Sequence, residues 1–150
     1  MEKSFIIGVD IGGTTFSATL FTHDLKIVRN SDLSHVSNFS NQPQLLDAIA
    51  KQIMDVASEK SINGVGFACP GPLDAKLGKI LETPNLRLLQ NCNFINEMKN
   101  RLSLPCYMDN DANLFALGEY ESYSQQKDVF VGVTLGTGLG FGMVINGKLF

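Results

Sequence analysis

Two carboxylates and two side-chain amides crowd into Asp109-Asn110-Asp111-Ala112-Asn113, where an apolar run ending in Tyr107-Met108 gives way to helical spacing through Leu117 to Tyr120. A carboxylate at such a strand end can accept the proton of an attacking hydroxyl as its bond to a phosphoryl group develops, without being a strong nucleophile itself. Asp111 is the candidate for that role. Asn110, whose amide offers both a donor and an acceptor, is a candidate ligand for substrate hydroxyls. The same stretch also reads as a helix cap made by Asp111 and Asn113, with no chemistry at all.

Two glycine-threonine turns could hold the phosphate. In Asp10-Ile11-Gly12-Gly13-Thr14-Thr15 the glycines let successive backbone N–H groups line up on an anion, and Thr14 adds a hydroxyl. Asp10 would repel phosphate directly, so its sensible role is to hold Mg²⁺ through water. Thr134-Leu135-Gly136-Thr137-Gly138-Leu139-Gly140 repeats this chemistry. It is no Walker A loop, because no Gly-Lys-Ser/Thr follows, and no dinucleotide fingerprint, because a strand pattern follows it. Each turn alone also reads as a plain hairpin; two facing each other could clamp one triphosphate.

Composition narrows the partners. The chain has 150 residues, 44% hydrophobic and 18% charged, with a formal net charge of −3. That size suits one domain or one domain and part of another. No basic field is present to attract a nucleic acid, so a small ligand is the expected partner. The start has no secretory h-region, and no apolar run reaches membrane-spanning length, which makes the cytoplasm the expected compartment. Cys69, Cys92 and Cys106 fit neither a disulfide framework nor a zinc pair and read as small buried residues. His23 and His35 are assigned no chemistry.

The elements that must position these groups follow from periodicity. Residues 4–11 form a continuous apolar run with Asp10 near its end, a buried strand delivering a carboxylate to its tip. Residues 16–21 and 25–33 complete a three-stranded antiparallel meander. Leu45, Leu46, Ile49, Ile53, Val56 and Ala57 recur at helical spacing behind Asn41-Gln42-Pro43. Residues 65–69 form a strand broken by Pro70-Gly71-Pro72; Phe94, Ile95, Met98 and Leu102 mark a second helix, and 106–108 the strand entering the polar knot. Strands at 128–135 and 141–145 close the chain. Three antiparallel strands followed by βα units imply a mixed sheet in an α/β fold. The last hairpin repeats the pattern of the first, as a duplicated fold would.

Taken together, Gly8-Val-Asp-Ile-Gly-Gly-Thr14, Gly64-Val-Gly-Phe-Ala-Cys-Pro-Gly-Pro-Leu-Asp74, Thr83-Pro-Asn-Leu86, Asp109-Asn-Asp-Ala-Asn113 and Thr134-Leu-Gly-Thr-Gly-Leu-Gly140 resemble the ROK family (repressor, open reading frame, kinase) in that family's order. The resemblance implies an actin-like, ribonuclease-H-like ATPase lobe and ATP-dependent phosphorylation of a hexose or amino-sugar hydroxyl by a cytoplasmic sugar kinase. By motif, Asp111 matches the catalytic base and Asn110 a sugar ligand. Asp10, Gly12, Gly13 and Thr14 match the first phosphate and Mg²⁺ loop; Gly136, Thr137 and Gly138 match the second. Gly71 and Asn85 match segments lining the sugar. Thr15 stands where many members carry lysine, and Phe141 where glycine is common; with Thr83-Pro-Asn-Leu86, Phe141 points to the allose-kinase-like branch.

On this resemblance, residues 1–127 are the N-terminal lobe and 128–150 the first hairpin of a truncated C-terminal lobe. The remaining sugar ligands, a structural zinc, the adenine site and a returning C-terminal helix are expected beyond Phe150, and the full-length protein is expected to be a homodimer. Residues 1–150 alone are expected to be inactive, and the exposed last hairpin to seek another copy. The alternative functions are a sugar-sensing ROK transcriptional regulator and an inactive sugar-binding module.

Overall fold

The computed structural model describes residues 4–123, 127–136 and 138–150. Strands β1 (Phe5–Ile11), β2 (Thr15–Thr22) and β3 (Ile27–Asn30) form the expected antiparallel meander, with Ile11 opposite Phe16 and Asp10 opposite Ser17. The third strand is shorter than the 25–33 run. Ser31 Oγ accepts from the Ala18 N–H at 2.9 Å, so a side chain takes over from the ladder. A separate piece, β4 (Ser34–His35), returns to pair with the start of β2.

Helix α1 (Gln42–Ala57) begins three residues before Leu45, the first residue of its apolar pattern. Asn41 Oδ1 accepts from the Gln44 N–H at 3.0 Å, and Pro43 sits in the first turn, where a missing N–H costs nothing. Next come β5 (Ile62–Cys69), parallel to β1; the small hairpin of β6 (Leu73–Asp74) and β7 (Lys79–Ile80); α2 (Phe94–Leu102); and β8 (Cys106–Asn110). The order of the main sheet is β3-β2-β1-β5-β8, with β4 on β2. Helix α3 (Asp111–Ser122) follows, then β9 (Val129–Leu135), β10 (Leu139–Ile145) and β11 (Lys148–Leu149) in a three-stranded antiparallel sheet.

The chain divides into two compact units, Met1–Met108 and Asp109–Phe150. In the first, strict alternation sends Phe5, Ile7, Val9 and Ile11 of β1, Phe16, Ala18 and Leu20 of β2, and Val65 and Phe67 of β5 into one core. Leu45, Ile49 and Ile53 of α1 are fully buried in that core, each contributing about 2 kcal/mol by leaving water. Phe94 of α2 meets Phe67 edge-on, with ring centroids 5.0 Å apart. On a different patch of surface, Ile6, Gly8, Phe21, Leu25, Gly64 and Tyr107 line an apolar trough of about 550 Å³ that holds none of the candidate site residues.

In the second unit, Ala112, Ala116 and Tyr120 recur every fourth residue along α3 and are buried. Tyr120 packs edge-on to Phe130 with centroids 5.9 Å apart, beside Val144. Val129, Val131, Val133, Leu135 and Phe141 of the hairpin are exposed. No helix among the described residues is long and apolar enough to cross a membrane.

Cys92 and Cys106 are buried. Burial, with the Glu97 carboxylate adding to it, pushes the Cys92 thiol up to about 11, and burial also raises that of Cys106. Between the ordinary thiol range and that value the unfolded chain has lost protons that the folded chain keeps, so stability falls as pH rises. Urea midpoints should therefore drop from pH ~9 to pH ~11, and the drop should be smaller in Cys92→Ala; an equal drop in both would show that Cys92 does not contribute.

Candidate functional site

The polar knot at residues 109–113 is wired within itself. Asn110 is the N-cap of α3: its Oδ1 accepts from the Ala112 N–H at 3.1 Å. Asp111, the first helical residue, also accepts from that N–H through Oδ1, at 2.8 Å. Asp109 Oδ1 takes two donors, the Asn110 N–H at 2.7 Å and Asn113 Nδ2 at 2.8 Å. The cap reading named Asp111 and Asn113; the structure gives the cap to Asn110 and makes Asn113 a brace on Asp109. A carboxylate in the first turn is also favoured by the helix dipole.

This wiring leaves the Asp111 side chain exposed at the head of α3. Asn110 is half-buried and commits its oxygen to the cap, which leaves its Nδ2 as the end of the amide to offer a ligand. Asp109 is the residue that sequence reasoning passed over. Asp109 lies in β8 just before the Asn110 cap, and Asn113, in the first turn of α3, reaches back to it.

Both glycine-threonine turns are hairpin connections of three residues, 12–14 between β1 and β2 and 136–138 between β9 and β10. In each, the first N–H closes the turn. Gly12 donates to the Thr15 carbonyl at 2.8 Å, and Gly136 to the Gly138 carbonyl at 3.0 Å. The donors left to face an anion are therefore fewer than a simple row of glycines suggests, with Gly13 and Thr14 in the first turn and Gly138 in the second. Thr137 lies outside the described residues. A Cβ built on Gly136 or Gly138 would meet nothing within 4 Å, so packing does not account for glycine there.

Packing does account for Gly13. A Cβ at that position would stand 2.7 Å from the Asn85 carbonyl oxygen and 2.9 Å from Asn85 Cβ. The first turn is thus held against the Thr83-Pro84-Asn85 segment, and the exposed Asn85 sits beside it. That segment is tied in turn to the Pro70-Gly71-Pro72 connection. Leu81 N–H donates to the Pro72 carbonyl at 3.0 Å, Thr83 N–H to the Leu81 carbonyl at 2.9 Å, and Gln90 Nε2 to the Thr83 carbonyl at 2.9 Å. Asp10 is exposed near the end of β1. Among the described residues no three His, Cys, Asp or Glu side chains gather as a metal cage. The first unit therefore brings together Gly12, Gly13, Thr14 and Asn85, with the Gly71 connection tied in, while the second carries Asn110, Asp111, Gly136 and Gly138.

The pattern that defines the ROK family matches residues 6–150. The chain is 34% identical over 150 residues to the glucokinase of Thermotoga maritima, covering 99% of this chain and 47% of that one. It is 32% identical over 146 residues to the N-acetyl-D-glucosamine kinase of Mannheimia succiniciproducens, covering 96% and 47%. A xylose repressor of Caldicellulosiruptor bescii is 30% identical over 152 residues, covering 97% and 37%. In three dimensions the chain is similar to the crystal structure of a ROK family glucokinase from Streptomyces griseus in complex with glucose and AMPPNP, with a TM-score of 0.86 and 31% identity, covering 97% of this chain and 46% of that one. The chain thus spans about half the length of the kinases it matches.

The two glycines of the first turn should respond differently to a methyl group. Gly13→Ala must displace Asn85 and should cost about 1–3 kcal/mol. At Gly12 the new Cβ meets only the Thr15 carbonyl, at an ordinary 3.4 Å, so Gly12→Ala should stay within about 0.5 kcal/mol of the parent. Urea unfolding of both variants measures this; equal costs would remove the packing explanation for Gly13.

Proposed function

Because the chain belongs to the ROK family, we propose that it serves the ATP-dependent phosphorylation of a hexose or amino-sugar hydroxyl, with Asp111 as the general base. The observation that carries the reading is the exposed Asp111 carboxylate, fixed at the head of α3 by the Asn110 cap and the Asp109 brace. It stands in the same compact unit as a hairpin whose turn has glycines that packing does not require. Likeness to a glucokinase with glucose and AMPPNP supports both substrate classes.

Each residue then has a physical task. Asp111 accepts the proton of the attacking hydroxyl, while Asn110 Nδ2 donates to a neighbouring hydroxyl and fixes its direction. Gly71 and Asn85 line the sugar. Gly13 and Thr14 of the first turn, and Thr137 and Gly138 of the second, are the proposed donors to phosphate oxygens. An exposed carboxylate at a strand end suits a cation that keeps most of its waters and its phosphate ligands, so Asp10 would hold Mg²⁺ with the nucleotide. Bound there, the ion would supply charge neutralisation for the transferring group. The lobe boundary is proposed at 127/128, so that α3 belongs by chain order to the first lobe while packing on the hairpin that begins the second.

Likeness to a xylose repressor favours a second reading, sugar sensing without phosphoryl transfer. Asp111→Asn separates the two. As a kinase base, its loss should lower phosphoryl transfer from ATP to glucose or N-acetylglucosamine by about 10²–10⁴-fold, with sugar binding by calorimetry retained. Sugar binding without measurable transfer in the parent would favour the sensor. Residues 1–150 alone should show no turnover, and measurable turnover would overturn that expectation.

A further inference from the structure

Strands β9 and β10 are bare where they meet α3. Gly132 and Gly142 are register partners in the hairpin, and Gly140 lies two residues before Gly142 on the same face. A Cβ on Gly142 would stand 2.5 Å from the Ala112 carbonyl oxygen, 2.7 Å from Asn113 Cα and 2.9 Å from Ala116 Cβ. On Gly140 it would stand 3.1 Å from Ala112 Cβ and 2.6 Å from Thr134 Oγ1. On Gly132 it would meet Ala116 instead, at 2.8 Å from both Cα and Cβ, with Phe115 Cδ1 at 3.3 Å. Gly142 and Gly140 therefore touch the first turn of α3, the turn that carries Asp111, and Gly142 also reaches Ala116 in the next turn; the contacts of Gly132 are all to that later turn.

The geometry points to Gly142, assisted by Gly140, as a positioning residue for Asp111: bare strand backbone sets the height of the first turn of α3 above the hairpin whose tip is the 136–138 turn. This rests on the reading of Asp111 as the base and of that turn as a phosphate loop. The contact is to backbone atoms of Ala112 and Asn113, so no rotamer change can absorb an added methyl. Ordinary contact begins at 3.4 Å, so Gly142→Ala must lift the turn by about 1 Å. That lift acts on Ala112, whose N–H is the donor shared by Asn110 and Asp111, and on Asn113, which braces Asp109. The turn that carries the base thus rests by main-chain contact on the strand that leads away from the turn that would hold the phosphate.

The test compares Gly142→Ala with Gly132→Ala, two substitutions of similar crowding on different turns of α3. Read by NMR on the chain without substrate, Gly142→Ala should shift the Ala112 and Asn113 amides and speed exchange of the Ala112 N–H by about tenfold or more. Gly132→Ala should centre its shifts on Phe115 and Ala116 and leave Ala112 exchange as in the parent. If Gly142→Ala does not fold, Gly140→Ala, which crowds the same turn less, decides by the same readout. Unchanged Ala112 and Asn113 signals, or equal changes in Gly132→Ala, would overturn the proposal and reduce Gly142 to ordinary packing. Where the parent transfers phosphate, Gly142→Ala should lower kcat ~100-fold with the sugar KM held, and Gly132→Ala should not. A parent without transfer would sink the kinase reading, while the NMR comparison would still decide the coupling.

Discussion

Among the described residues, backbone meets backbone with no side chain between where Gly13 lies against Asn85 and where Gly142 and Gly132 lie against α3. The candidate chemistry in each unit is arranged by one of these contacts. Gly13 lets the first hairpin turn rest on the Thr83-Pro84-Asn85 segment, which is hydrogen-bonded on to the connection containing Gly71. Gly142 lets a strand lie directly under the turn that presents Asp111. Such contacts are stiff, because a main chain cannot rotate away from a clash as a side chain can. They are well suited to holding reacting groups within the fraction of an ångström that transfer chemistry needs.

The groups so held are mostly satisfied by near neighbours. Asp109, Asn110, Asp111 and Asn113 close a short network around two backbone N–H groups and one side-chain amide. A half-buried cluster of this kind would be costly if its donors lacked acceptors. The Asp111 carboxylate is exposed, and the Asn110 cap engages its Oδ1 and not its Nδ2. The helix cap and the candidate catalytic base are therefore not rival readings. The cap fixes the residue that could do the chemistry.

Much of the scaffold was legible because period-two and period-3.6 patterns are direct consequences of one-sided burial. The α1 stripe from Leu45 to Ala57 and the α2 stripe from Phe94 to Leu102 went where the pattern sent them, whereas β1, a continuous apolar run in sequence, fully buries only alternate residues. The third strand was misjudged in length because the Ser31 side chain competes with the ladder, which hydrophobicity does not register. Helix α3 is less plain still: its buried face is Ala112, Ala116 and Tyr120, and the two alanines are too small to stand out as an apolar stripe.

The sequence by itself determined the longer strands β1, β2, β5, β8, β9 and β10, the helices α1 to α3, the two glycine-threonine turns and the family to which their order belongs, because each is written in local spacing or in short motifs; the short strands β4, β6 and β11 carry no such pattern. Only the tertiary structure decided what the glycines are for. Gly12 and Gly136 close their turns through their own N–H groups, Gly13 admits Asn85, Gly142 admits the head of α3, and Gly138 has open space around it. A glycine has no side chain to signal its surroundings, so its role is set entirely by what the folded chain brings against it. The same holds for Asp109, whose carboxylate became a brace only when the first turn of α3 carried Asn113 round to meet it.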